Sequence, residues 1–157
     1  MRSNRMWCCL AVAVFLTGIA RADVKTLQNA GESDYKGSYL DVDGKTGEVT
    51  IAKEFFNECR WELEKDGEFY TLRNAAAGQF KGYYLDVNHN NGRVVLSEKL
   101  SAGCRWQMEK VESAIRLRSA GASEYKDHYL DINPKNGRVR LSEKVSTGCD
   151  WILKDAK

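Results

Sequence analysis

At a spacing of 45 residues, three times over, a tyrosine and an aspartate stand two positions apart: Tyr39 and Asp41, Tyr84 and Asp86, Tyr129 and Asp131. On an extended chain residues i and i+2 share a face. Each pair therefore sets a phenol ring beside a carboxylate, with Leu40 and Val42, and their counterparts, on the opposite side. An aromatic face stacks on apolar C–H surface, and a carboxylate accepts hydrogen bonds from hydroxyl donors. Together they are the minimum equipment for holding a sugar ring. Asn88, Asn91, Asn133 and Asn136 follow in the next turns and add amides to two of the three pairs.

The same residues have a structural reading. An aspartate just before a tight turn often caps the turn's amides. Asp86 can also pair with Arg93 across a hairpin, and Asp131 with Arg138, whereas Glu48 breaks that pattern in the first unit. The tyrosines can equally be packing groups. Bond-breaking chemistry finds no such footing: His89 and His128 stand alone, with no nucleophile or partner at a matching spacing. No cofactor is implied.

Nor is a metal. Cys59, Cys104 and Cys149 recur once per unit, but structural zinc wants four ligands with close local spacing. The run from Asp41 to Glu48 hints at a calcium loop, yet Lys45 stands where an oxygen ligand is needed and the later units lose the acids. The three cysteines read instead as small buried hydrophobes.

The elements that must position these groups follow from the repeat. Leu27, Leu72 and Leu117 open the units, Gly47, Gly92 and Gly137 sit in the turns, and Trp61, Trp106 and Trp151 close them, every step being 45 residues. Apolar residues alternate with a period of two, Leu40 and Val42 and then Val49 and Ile51, which is a strand pattern. The Asp/Asn- and Gly-rich stretches 43–47, 88–92 and 133–137 between them are hairpin tips. A third strand carries Cys59, Trp61 and Leu63 on one face, and a fourth runs over about 68–73, with no helical stripe anywhere. Four strands per unit make twelve. Propellers typically need four or more such blades to close, so the expected fold is an all-β trefoil, a six-stranded barrel capped by three hairpins with pseudo-threefold symmetry. One inward tryptophan per unit suits its shared core.

The repeats occupy 23–67, 68–112 and 113–157 as one expected domain. Ahead of them come Arg2 and Arg5, an apolar run of 15 residues from Met6 to Ala20, and the small residues Ala20 and Ala22 around Arg21. That is the pattern of a secretory signal peptide cleaved near Ala22, and the run is short for a membrane span of about 20 residues. Secretion, extracellular or periplasmic, is the expectation. Without residues 1–22 the chain keeps 21 bases against 22 acids, scattered along it. A near-neutral protein of this kind lacks the electrostatic footprint of a nucleic-acid binder. Three cysteines remain, an odd number that argues against a disulfide framework.

Tyr-Leu-Asp-Val, a glycine-bearing turn, a Val-x-Leu strand and a closing x-x-Trp resemble the ricin B-type lectin repeat, in all three units. The resemblance implies a secreted, non-enzymatic module with up to three weak equivalent sugar sites, glycans or glycoproteins as partners, and a monomer. It maps the family's sugar-binding aspartate onto Asp41, Asp86 and Asp131. The family's Gln-x-Trp keeps its tryptophan here, but the glutamine is Cys59, Cys104 or Cys149, and the preceding asparagine is Glu58, Gly103 or Gly148. Where a stacking aromatic is expected stand Ala52, Ser97 and Ser142, and tyrosine replaces the cysteine before Leu-Asp, so the family's intra-repeat disulfide is missing. Two other functions stay open: a secreted inhibitor or other protein-binding trefoil, and an interaction scaffold whose sugar sites have decayed. The second and third units match at 21 of 39 positions, polar turn residues included, which inclines modestly toward binding.

Overall fold

The computed structural model describes residues 23–121 and 123–156. The leader expected over residues 1–22 lies outside them. Twelve strands run in chain order: β1 (Asp23–Asn29), β2 (Tyr39–Val42), β3 (Val49–Ala52), β4 (Trp61–Asp66), β5 (Phe69–Asn74), β6 (Tyr84–Val87), β7 (Val94–Ser97), β8 (Trp106–Val111), β9 (Ala114–Ser119), β10 (Tyr129–Ile132), β11 (Val139–Ser142) and β12 (Trp151–Asp155). The helical segments among the described residues are single 3₁₀ turns, Asn57–Cys59, Ala102–Cys104 and Thr147–Cys149.

Six strands close a ring through antiparallel pairs: β1 with β4, β4 with β5, β5 with β8, β8 with β9, β9 with β12, and β12 back to β1. Closure leaves this barrel without a free edge. The other six form three hairpins, β2–β3, β6–β7 and β10–β11, whose second strands meet one another. The architecture is all-β and trefoil-like.

Alternation decides which side chains enter the core. Leu40, Leu85 and Leu130 are fully buried, as are Leu72, Leu117, Trp61, Trp106 and Trp151. Each indole nitrogen donates to the carbonyl of its own unit's leucine: Trp61 to Leu40 at 3.1 Å, Trp106 to Leu85 at 3.2 Å, Trp151 to Leu130 at 3.2 Å. A buried tryptophan needs such a partner, and here it ties the barrel strand to the hairpin strand above it. Hairpin tips are fixed by their own side chains. Oδ1 of Asp43, Asn88 and Asn133 each accepts from the amide two residues on. At Gly47, Gly92 and Gly137 φ lies between +67° and +73°, and a Cβ there would meet the ring of Phe80, Tyr125 or Tyr35 within 2.7 Å. Only glycine satisfies both conditions.

Two boundaries differ from the sequence reading. Cys59, Cys104 and Cys149 belong to the 3₁₀ turns and not to the third strand, which starts at the tryptophan. The fourth strand runs Phe69–Asn74. The cause of the first is local: the Cys59 amide donates back to the Phe56 carbonyl at 3.2 Å, so the chain is still turning when it reaches the thiol.

Candidate functional site

All six residues of the Tyr/Asp pairs lie on first hairpin strands, β2, β6 and β10, with the following leucine and aliphatic side chains inward as alternation requires. The carboxylates, however, do not face solvent alike. Asp41 is half-buried, Asp86 is 9% exposed and Asp131 is 0% exposed. The expectation that each carboxylate points outward fails for the second and third units.

The reason is a turn of four residues beside them. In the second unit Ser101 Oγ donates to Asp86 at 3.0 Å, and in the third Ser146 Oγ donates to Asp131. The same hydroxyls accept from the amides of Gly103 and Gly148, at 3.0 and 3.1 Å. A Cβ on Gly103 would stand 2.3 Å from Asp86 Oδ1, and one on Gly148 2.4 Å from Asp131 Oδ1, so the missing side chain is what lets the turn close over the carboxylate. Asp131 also accepts from Arg140 Nε at 2.8 Å. Its cross-hairpin partner is thus Arg140, directly opposite in the β10–β11 register, and not Arg138. Asp86 faces Val95 across its hairpin and takes Ser101, not Arg93.

In the first unit the corresponding residues are Phe56 and Glu58, which supply neither the hydroxyl nor the gap. Asp41 there receives the Cys59 thiol, Sγ to Oδ1 3.4 Å. Burial raises the Asp41 carboxyl above the ordinary range, against the Cys59 and Val42 hydrogen bonds that lower it. Burial likewise pushes the Cys59 thiol up to about 12. A thiol held protonated in this way suits no nucleophile.

Beside this carboxylate the first unit carries an aromatic pair. Tyr39 and Phe55 meet edge to face with ring centres 5.8 Å apart, the Arg60 guanidinium lies 5.6 Å from the Phe55 centre, and Phe55 is 40% exposed. The two rings border an open cleft of about 290 Å³ completed by Thr26, Lys154 and Asp155, where β12 comes against the first unit. Sequence reasoning placed the stacking position at Ala52 and missed Phe55. The signal was there, since Phe55-Phe56 stands where the other units have Leu100-Ser101 and Val145-Ser146. Tyr84 has no such partner among the described contacts, and the Tyr129 hydroxyl donates to Glu109 at 3.4 Å. The asparagines are turn builders: Asn88 and Asn133 cap as described, and Oδ1 of Asn91 and Asn136 accepts from the amides of Arg93 and Arg138 at 3.0 and 3.1 Å.

No family model matches the chain, and no curated protein matches it. Solved structures do. SeviL, in a structure bound to asialo-GM1 saccharide, is 18% identical with a TM-score of 0.67, over 87% of this chain and 99% of that one. The Polyporus squamosus lectin, bound to a human-type influenza-binding epitope, is 16% identical with a TM-score of 0.66, over 85% of this chain and 49% of that one. The fold is that of the ricin B-type lectins. A salivary protein from Culex quiquefasciatus, of a Cysteine and Tryptophan-Rich family, is 18% identical with a TM-score of 0.66, over 86% and 94%. In two larger proteins, an endo-β-galactosidase from Clostridium perfringens and a mosquitocidal holotoxin, the ricin B-like match spans only 33% and 18% of their chains. Among the described residues no helix is long and apolar enough to cross a membrane.

Proposed function

We propose that this chain is a secreted, non-enzymatic carbohydrate-binding module, a β-trefoil of three 45-residue repeats, whose principal sugar site is in the first unit. The observation that carries the reading is a coincidence found there and in neither other unit. Asp41, less buried than Asp86 or Asp131, lies two positions along β2 from Tyr39, which with Phe55 borders a cleft. Tyr39 and Phe55 supply the stacking surface, Asp41 the acceptor, and Thr26, Lys154 and Asp155 polar groups around the ring's hydroxyls. Similarity to SeviL, whose structure holds asialo-GM1 saccharide, supports the carbohydrate-binding reading. The ring closed by β1 to β12 and the recurrence at 45 residues of the buried leucines and of Trp61, Trp106 and Trp151 support the trefoil.

A glycan array on residues 23–157 followed by titration of the best ligand tests this. Tyr39→Ala and Phe55→Ala are expected to weaken binding about tenfold each, the worth of one stacking contact, while Tyr84→Ala leaves it unchanged. Equal losses in all three variants would return the sites to three equivalent ones. A blank array from protein shown to be folded by its tryptophan fluorescence would sink the lectin reading.

One observation favours a second reading, a secreted protein-binding scaffold. The sequestration of Asp86 and Asp131 is what decayed sugar sites would look like, and the salivary protein matched over 94% of its length shares a cysteine- and tryptophan-rich character with the Cys-x-Trp of each unit.

A further inference from the structure

A cavity larger than the one at the aromatic pair lies elsewhere among the described residues. Where the three hairpins meet, β3, β7 and β11 surround an open cleft of about 960 Å³. Its lining includes Arg93, Arg138 and Arg140 together with Glu48, Glu143, Tyr125 and His128. Arg93 and Arg138 are repeat equivalents, and the first unit has Glu48 in their place.

The fold holds the backbone of two of these arginines and the side chain of the third. Asn91 and Asn136 pin the backbones of Arg93 and Arg138 through their Oδ1 atoms. Arg140 is oriented from behind, because its Nε is spent on Asp131, which is 0% exposed and itself fixed by Ser146. The Arg140 side chain stays 44% exposed, and its four remaining N–H donors lie on the terminal nitrogens of a rigid fork. Among the described residues neither Arg93 nor Arg138 has a carboxylate within ion-pair distance. Two arginines without an acid partner and a third pre-oriented by a buried acid, lining one cleft, offer it the charged N–H donors that an oxyanion accepts from. Glu48 and Glu143, which line the same cleft, are acceptors available to hydroxyl donors.

We infer that this cleft is a second binding site, separate from the aromatic pair, for a sugar carrying an oxyanion such as a sulfate ester. The arginines take the anionic group and the two glutamates the ring hydroxyls. Asp131, a candidate sugar acceptor by sequence, serves here as the positioning residue for Arg140.

Calorimetric titration at low salt, with inorganic sulfate, a sulfated disaccharide and the same disaccharide lacking its sulfate, tests the inference. The sulfated sugar is expected to bind about tenfold tighter than the unsulfated one. The double variant Arg93→Gln/Arg138→Gln should lose about that factor, with an unchanged urea midpoint, since both side chains are exposed. Tyr39→Ala should leave this binding intact, so failure here and failure of the first-unit site can be told apart. Inorganic sulfate binding as tightly as the disaccharide would keep the arginine site and assign it to a free anion. Equal binding of the two disaccharides in the absence of any sulfate binding, parental affinity in the double variant, or no binding of any probe would overturn the inference.

Discussion

The first unit and the other two carry the same Tyr-Leu-Asp motif, yet they use its carboxylate in opposite ways. In the second and third units a serine hydroxyl bonds the aspartate and a glycine lets the turn close on it. In the first, Phe56 and Glu58 leave the aspartate half-exposed with only a thiol donor from a side chain. Two positions outside the motif therefore decide whether its polar residue is sealed into the framework or left partly open. A motif fixes where a carboxylate is placed on a strand; the neighbouring turn fixes whether water can reach it.

The largest effects should come from removing the carboxylates one at a time. Asp131→Ala strands the Ser146 hydroxyl and unpairs Arg140, which can rehydrate only in part, and should cost about 3 kcal/mol in urea unfolding. Asp86→Ala loses the Ser101 bonds alone and should cost about 2 kcal/mol. Asp41→Asn, by contrast, should be within about 0.5 kcal/mol of the parent at neutral pH. Three similar losses would mean that the units are structurally equivalent after all.

The glycines sharpen the same contrast. Gly148→Ala forces a methyl to within 2.4 Å of Asp131 Oδ1 and 2.3 Å of the Ile132 carbonyl, a backbone atom that cannot step aside. An overpacking cost of about 2 to 3 kcal/mol is expected, and Gly103→Ala should behave alike. Glu58→Ala at the equivalent place should cost no more than about 0.5 kcal/mol, because that turn already accommodates a side chain.

Much of this organisation was written in the chain and some was not. The strands, the hairpins and the tryptophan core were legible because a period of two and a 45-residue step each demand one geometry. The placing of Cys59 was not, since its i, i+2 spacing from Trp61 imitates a strand while the backbone still turns through a 3₁₀ segment. The burial of Asp86 and Asp131 depended on a serine and a glycine 15 and 17 residues further on, which alternation within one strand cannot see. Arg140 displaced Arg138 as the partner of Asp131 because the hairpin register sets 131 opposite 140. The ring from the next unit under each tip glycine, Phe80, Tyr125 or Tyr35, also repeats at 45 residues, but only the closed barrel brings it there.

Proton linkage distinguishes the units further. The folded Asp41 carboxyl titrates above its ordinary value of 3.8, chiefly because burial disfavours its charge. Its contribution to stability is therefore present below that value and is lost as pH rises through the raised one. Asp41→Asn should flatten that segment of the stability profile. The thiols act at the other end. Burial pushes Cys59 up to about 12 and Cys149 to about 11 from an ordinary 9.0, so their stabilisation holds below 9.0 and falls as pH climbs through those values. Thiol labelling of folded residues 23–157 at pH 8 should be negligible and should reach all of Cys59, Cys104 and Cys149 only in denaturant. Fast labelling of one thiol in the native state would show that a turn opens locally.

The smallest difference concerns the end of the last inner strand of each pair. Asn29 and Asn74 are buried and donate through Nδ2 to carbonyls of the preceding 3₁₀ turn, Asn29 to Gly148 at 3.0 Å and Asn74 to Glu58 at 3.3 Å. Each also accepts, through Oδ1, from the amide two residues on. The third unit has Ser119 at this place, 1% exposed, and its Oγ finds no partner among the described residues. A hydroxyl on a single carbon is too short to span the gap that the two asparagines bridge. Ser119→Asn should restore the link toward the Gly103 carbonyl and raise stability by about 1 kcal/mol, the net worth of one buried hydrogen bond, read as a higher urea midpoint at constant slope. A lower midpoint would mean that the third unit has closed around the serine, which would make the threefold pattern approximate in its packing as well as in its carboxylates.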